Sequence, residues 1–140
     1  MTAAQTAQPS VRALRVLLLD DDAFTLEILH AMLGQLGQFD VRAESDARRA
    51  LASLGATLPD LLICDLSMPD MDGIEFLQAA AGAGFRGAVL LLSGMDAGVR
   101  RAAERLARAQ GLQVLGAYMK PLSQDDLRGA VQALSVSLPE

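Results

Sequence analysis

With 140 residues, 51% of them hydrophobic, the chain is long enough for one domain with a proper core, and its net charge of −5 argues against a nucleic-acid surface. Its single cysteine, Cys64, excludes an internal disulfide and suits a reducing cytosol. No stretch approaches the roughly 20 apolar residues of a membrane span, and Met1–Ser10 lacks the basic start and apolar segment of a secretory signal. Residues 1–12 are therefore read as a disordered leader and the protein as cytoplasmic.

The first apolar run, Val16–Leu19, is continuously aliphatic, as expected of a strand covered on both faces of a parallel sheet, and ends in Asp20-Asp21-Asp22. Phe24–Leu36 has helical spacing. Leu26, Leu29, Leu33 and Leu36 recur at three and four residues, beside Ile28 and Met32, and Gly34 and Gly37 mark where the helix frays and stops. The short, mixed run Phe39–Ala43 suits an edge strand, and Asp46 is placed to cap a helix over Asp46–Leu54. A third run, Leu61–Cys64, delivers Asp65 to its own end. A Pro- and Gly-punctuated loop, Leu66–Gly73, then leads into a helix over Ile74–Ala83, with Phe76 and Leu77 on one side.

Ala88–Leu92, aliphatic throughout, runs into Ser93-Gly94, and a weakly apolar helix rich in Ala and Arg spans Ala97–Ala109. Val114–Met119 ends at Lys120-Pro121. Ser123-x-x-Asp126, close to a capping box, opens a last helix over Ser123–Ser137 whose buried stripe is Leu127, Ala130, Val131 and Leu134. Residues 13–137 thus read as one domain, with 138–140 a tail or the start of a linker.

Five runs alternating with five helical patterns predict an α/β fold: a parallel sheet with right-handed crossovers and helices on both faces. Ligands of such sheets gather at the C-terminal strand ends, beside the point where strand order reverses. Asp20, Asp21, Asp65, Ser93 and Lys120 all fall at such ends. Adjacent carboxylates repel unless a cation or proton intervenes. An oxygen-rich set without thiolate or imidazole suits Mg²⁺ rather than zinc or copper. The competing reading of Asp20–Asp22 is a helix cap, and the two roles coexist if Asp22 is the capping residue.

Lys120, the only lysine, would bring an ammonium to an anion, with Pro121 restricting its backbone; the alternative is an ordinary surface lysine. Ser93 can donate to a phosphoryl oxygen, and Gly94 beside it leaves a bulky anion room to approach. The sequence around Ser93 lacks the Gly-x-Ser-x-Gly elbow of a nucleophilic serine, and no Walker loop or GxGxxG occurs. Cys64 reads as a small apolar core residue, His30 as an ordinary helix residue, and Arg100, Arg101, Arg105 and Arg108 as a solvated helix face.

The segments LLLDDDAF (17–24), ICDLSMPDMDG (63–73), LLLSG (90–94) and YMKPLS (118–123) together resemble the receiver domain of two-component response regulators, from about Arg15 to Leu134. The resemblance implies a flavodoxin-like (βα)5 fold, doubly wound, with strand order 2-1-3-4-5. It implies that Asp65 accepts a phosphoryl group from a phosphohistidine on a sensor histidine kinase or phosphotransfer protein. Mg²⁺ would be held by Asp21, Asp20, Asp65 and the backbone carbonyl of Ser67. Lys120 and Ser93, with Gly94, would contact the phosphoryl oxygens, and Pro121 is a candidate for a cis peptide bond.

One position departs from the pattern. Receivers usually carry an aromatic residue three before the lysine, where this chain has Ala117; Tyr118 follows it, and strand alternation sends the two to opposite faces. The stretch Gly111–Leu122 also resembles receivers joined to EAL-type cyclic-di-GMP phosphodiesterase domains. A homodimer and a C-terminal effector domain are further expectations from the family, and no direct nucleic-acid or membrane partner is expected. The reading is of a signalling module, not a turnover enzyme. Two alternatives stand beside it: a Mg²⁺-dependent phosphatase or phosphotransferase with Asp65 as nucleophile, and a receiver-like interaction domain that has lost phosphorylation.

Overall fold

The computed structural model describes residues 13–54, 57–69, 71–94 and 97–137, so the leader and the tail expected at 1–12 and 138–140 lie outside the described residues. Strands β1 (Leu14–Leu19), β2 (Phe39–Glu44), β3 (Leu61–Asp65), β4 (Ala88–Ser93) and β5 (Gln113–Met119) alternate with helices α1 (Ala23–Leu36), α2 (Ala47–Leu54), α3 (Gly73–Gly82), α4 (Ala97–Ala109) and α5 (Gln124–Ser137). All strand pairs are parallel, in the order β2-β1-β3-β4-β5. This is the flavodoxin-like architecture expected from the sequence, with β2 at an edge. Strand order reverses between β1 and β3, which opens a crevice at their C-terminal ends.

The aliphatic runs are continuous because helices cover both faces of the sheet. Val16, Leu18, Leu61, Ile63, Leu90 and Leu92 face α1 and α5 and pack with Leu29, Leu33, Leu127 and Leu134. Leu17, Leu19, Leu62, Cys64, Val89 and Leu91 face the other layer and pack with Leu54, Phe76, Leu77, Ala103 and Ala107. Each fully buried Leu contributes on the order of 1.5–3 kcal/mol. Helix α4 rests on much less, since its buried residues are Ala103 and Ala107.

Helix starts follow local chemistry. Asp22 accepts from Phe24 N–H at 3.0 Å, Asp46 from the N–H groups of Arg48 and Arg49, and Ser123 Oγ from Asp126 N–H at 3.0 Å. Helix α3 opens with a reciprocal capping box between Asp72 and Glu75 that the sequence reading passed over.

Helix α1 ends at Leu36 and closes where Gly37 N–H donates to Leu33 O, the stop expected from the sequence, and it runs unbroken through Gly34. Two features differ from the sequence reading. Ile28, grouped with the apolar stripe of that helix, is 43% exposed, and Phe24 is 67% exposed. In β5 the register on β4 slips: Val89 pairs with Val114 but Leu90 with Gly116, leaving Leu115 as an extra residue. Among the described residues, no helix is long and apolar enough to cross a membrane.

Candidate functional site

The crevice collects the residues that the strand-end argument singled out. Asp20 follows the last residue of β1, and its N–H donates to Glu44 O at the end of β2. Asp65 closes β3, and the next N–H, of Leu66, donates to Leu92 O at 2.8 Å. Lys120 follows β5, its N–H donating to Ser93 O at 2.8 Å. The sheet ladder thus continues into the site and fixes the backbone of each group before any ligand arrives.

Asp20 and Asp65 are buried, and Asp21 is exposed. One carboxylate oxygen from each lies within 4.8 Å of those of the other two. Lys120 reaches between them, with Nζ 2.7 Å from Asp20 Oδ2 and 3.5 Å from Asp65 Oδ2. The remaining oxygens are held by backbone: Asp20 Oδ1 accepts from Asp22 N–H at 2.8 Å and Asp65 Oδ1 from Ser67 N–H at 3.0 Å. The Lys120–Pro121 peptide is cis. Ser93 is buried at the end of β4, and Gly94 beside it is exposed with open space around its α-carbon.

Charge in this cluster is poorly balanced. Burial is the main influence raising the Asp65 carboxyl above its usual range, with the charges of Asp20 and Asp21 adding to it; the Ser67 N–H and Lys120 pull the other way without cancelling it. At Lys120 burial disfavours the ammonium, but Asp20 and Asp65 outweigh it and hold the group above its ordinary value. Lys120 pairs with Asp20 and Asp65, which leaves the cluster of three acids with an excess of negative charge. Asp20 Oδ2, fully buried, receives no aligned hydrogen bond; its approach to Lys120 is an ion pair without the angle of a hydrogen bond. An oxygen-only donor set, an excess of negative charge and an under-satisfied buried carboxylate oxygen together fit a hard divalent cation.

Gly73 holds the loop after Asp65 in place. A Cβ there would stand 2.6 Å from Leu66 Cα and 2.9 Å from Asp65 O, so only glycine lets α3 begin this close to the end of β3. The N–H of Gly73 donates to Leu66 O at 3.1 Å.

A family model described as the response regulator receiver domain matches residues 16–132. The chain belongs to this family. Phosphoryl acceptance on an aspartate in two-component signalling is the function of receiver domains. This receiver is 34% identical to a response regulator from Colwellia psychrerythraea of known structure, with a TM-score of 0.76 over 91% of this chain and 100% of that one. It is 25% identical to the chemotaxis protein CheY4 of Vibrio cholerae, with a TM-score of 0.73 over 88% of this chain and 99% of that one.

Among curated proteins, the receiver is 33% identical over 111 residues to the cyclic di-GMP phosphodiesterase RocR of Pseudomonas aeruginosa, covering 79% of this chain and 28% of that protein. It is 33% identical over 82 residues to the regulator of RpoS of Escherichia coli, covering 59% and 24%. The chain thus spans about a quarter of the length of these relatives.

The strand-end rule brought Asp20, Asp21, Asp65, Ser93 and Lys120 together. It did not reveal the supporting residues. The Asp72-x-x-Glu75 spacing was a readable signal for the capping box; the close approach at Gly73 and the slip at Leu115 had no signal in a single sequence.

Proposed function

We propose that Asp65 is the phosphoacceptor of this receiver, taking a phosphoryl group from a phosphohistidine on a sensor histidine kinase or phosphotransfer protein. The observation that carries this reading is the convergence of Asp65 with Asp20, Asp21 and Lys120 at the ends of β1, β3 and β5. A carboxylate oxygen of Asp65 attacks phosphorus, the N–P bond breaks and an acyl phosphate forms. Mg²⁺, held by Asp20, Asp21, Asp65 and the Ser67 carbonyl, would supply charge neutralisation on the transferring oxygens. Lys120 supplies fixed positive charge from the other side, and Ser93 with Gly94 gives the oxygens a donor and room. The modified side chain gains charge and acceptor oxygens, enough to bias a two-state surface.

We read the chain as a signalling module rather than a turnover enzyme, because Ser67, two residues after Asp65, provides no general acid there. The domain is taken as residues 13–137, acting in the cytoplasm. The similarity to the cyclic di-GMP phosphodiesterase RocR, of which the chain covers 28%, is in line with the EAL-type output domain expected from Gly111–Leu122. A small phosphodonor such as acetyl phosphate, with Mg²⁺, should label the chain once, and Asp65→Asn should abolish labelling. Stable label on that variant at another residue would overturn the assignment.

A further inference from the structure

A cavity of about 90 Å³ opens beside the Asp65 cluster, between α1 and the segment that leads from β5 into α5. Leu29 and Met32 of α1, Leu92 near the end of β4 and Leu122 line it, with the exposed Ile28 and Pro121 toward solvent. Lys120 lines it too, while the ammonium of that residue stands 2.7 Å from Asp20 and 3.5 Å from Asp65. One side chain is therefore common to an apolar cavity and to the charged cluster.

Apart from Lys120, no lining residue carries a charge. Thr25, the one hydroxyl-bearing residue of the wall, donates its O–H to Asp22 Oδ2 at 3.0 Å, and Asp22 lies outside the lining. The two sides are tied together: Gln124 Nε2, at the start of α5, donates to Met32 O at 3.2 Å. Water finds few polar partners in such a space. On the scale in which a cavity of about 150 Å³ takes one benzene ring, this one takes a chain of about three carbons.

We propose that this cavity is an acyl subsite: a short-chain acyl phosphate gives its phosphoryl group to Asp65 with its alkyl tail seated between α1 and Pro121-Leu122, and a four-carbon acyl group fits best. This rests on the phosphoacceptor reading. A carboxylate oxygen of Asp65 attacks phosphorus, the bond from phosphorus to the acyl oxygen breaks, and its electron pair leaves with the fatty carboxylate. Lys120 presents positive charge to the anionic head, and each methylene buried behind it adds affinity. The tail is buried before transfer as well as during it, so the gain falls on KM rather than on kcat.

The test compares labelling of the chain by acetyl, propionyl, butyryl and hexanoyl phosphate, each below saturation with Mg²⁺, followed by mass spectrometry. The rate should rise about fourfold per methylene from acetyl to butyryl and fall at hexanoyl. Met32→Ala, which enlarges the cavity, should move the maximum to hexanoyl phosphate. Ile28→Trp, which narrows its mouth, should flatten the series. Both should keep the wild-type rate with acetyl phosphate, and with two variants the test survives a folding failure in one. A flat series in the wild type would overturn this inference and leave the phosphoacceptor intact, as would a maximum that neither variant moves. Failure of every donor to label Asp65 would overturn both.

Discussion

The ring of Tyr118 occupies the space that a side chain would need at Gly116, with Cε2 2.5 Å from where a Cβ would stand. Gly116→Ala forces one of the two to move. The ring is only half-buried, so it can swing outward, and the cost should fall near the low end of the about 1–3 kcal/mol typical of overpacking. Denaturant unfolding measures the cost, and tyrosine emission reports whether the ring has left.

Gly73 presents the opposite case. Of the three atoms that a Cβ would meet there, Leu66 Cδ2 at 2.7 Å belongs to a side chain, but Leu66 Cα at 2.6 Å and Asp65 O at 2.9 Å are backbone and cannot swing away. Gly73→Ala should therefore cost about 3 kcal/mol or more, at the upper end of the overpacking range. It should also slow phosphoryl labelling, because the displaced atoms belong to the phosphoacceptor strand. A Gly73→Ala protein with wild-type stability and labelling would show that the loop relaxes freely.

The crowded carboxylates predict a stabilising response to a divalent cation. Adding MgCl₂ at about 100 times its dissociation constant should stabilise the folded state by about 2.7 kcal/mol, read as a rise in melting temperature. Asp21→Ala should fold normally, since Asp21 is exposed, yet lose most of that rise. An undiminished shift in Asp21→Ala would remove Asp21 from the ligand set.

Alkaline titration separates the two causes acting on Tyr118. Burial first, and Asp126 second, raise its phenol above the ordinary value near 10. A raised folded-state value means that the group's contribution to stability is complete below the unfolded value and is lost as pH rises through the folded one. Stability should accordingly decline above about pH 10. Asp126→Asn should lower the phenolate midpoint, followed by ultraviolet absorbance, without returning it fully to the ordinary value, because burial remains.

The strand ends were legible in the sequence because four different physical signals coincide there: an aliphatic run stops, a turn residue appears, a charged or hydroxyl group follows, and a helical period begins. That coincidence located Asp20, Asp65, Ser93 and Lys120 without coordinates. Side-chain direction on exposed helix faces was less legible. Ile28 has the right residue type for the core stripe of α1 but points outward, since one apolar residue beyond the width of the stripe cannot also be covered. The opposition of Ala117 and Tyr118 could be read from strand alternation; the face given to each could not. That choice is made at Leu115, three residues earlier, by a slip in pairing with a strand distant in sequence.

Leu115 therefore acts as a parity setting for the end of β5. A substitution anywhere along Val114–Met119 changes what stands on a given side of the sheet, but an insertion or deletion of one residue exchanges the two sides wholesale. In this chain the unpaired residue at Leu115 thus sets which helix layer Ala117 and Tyr118 each meet. For this architecture, the length of that span is a quantity to compare in its own right, alongside residue identity.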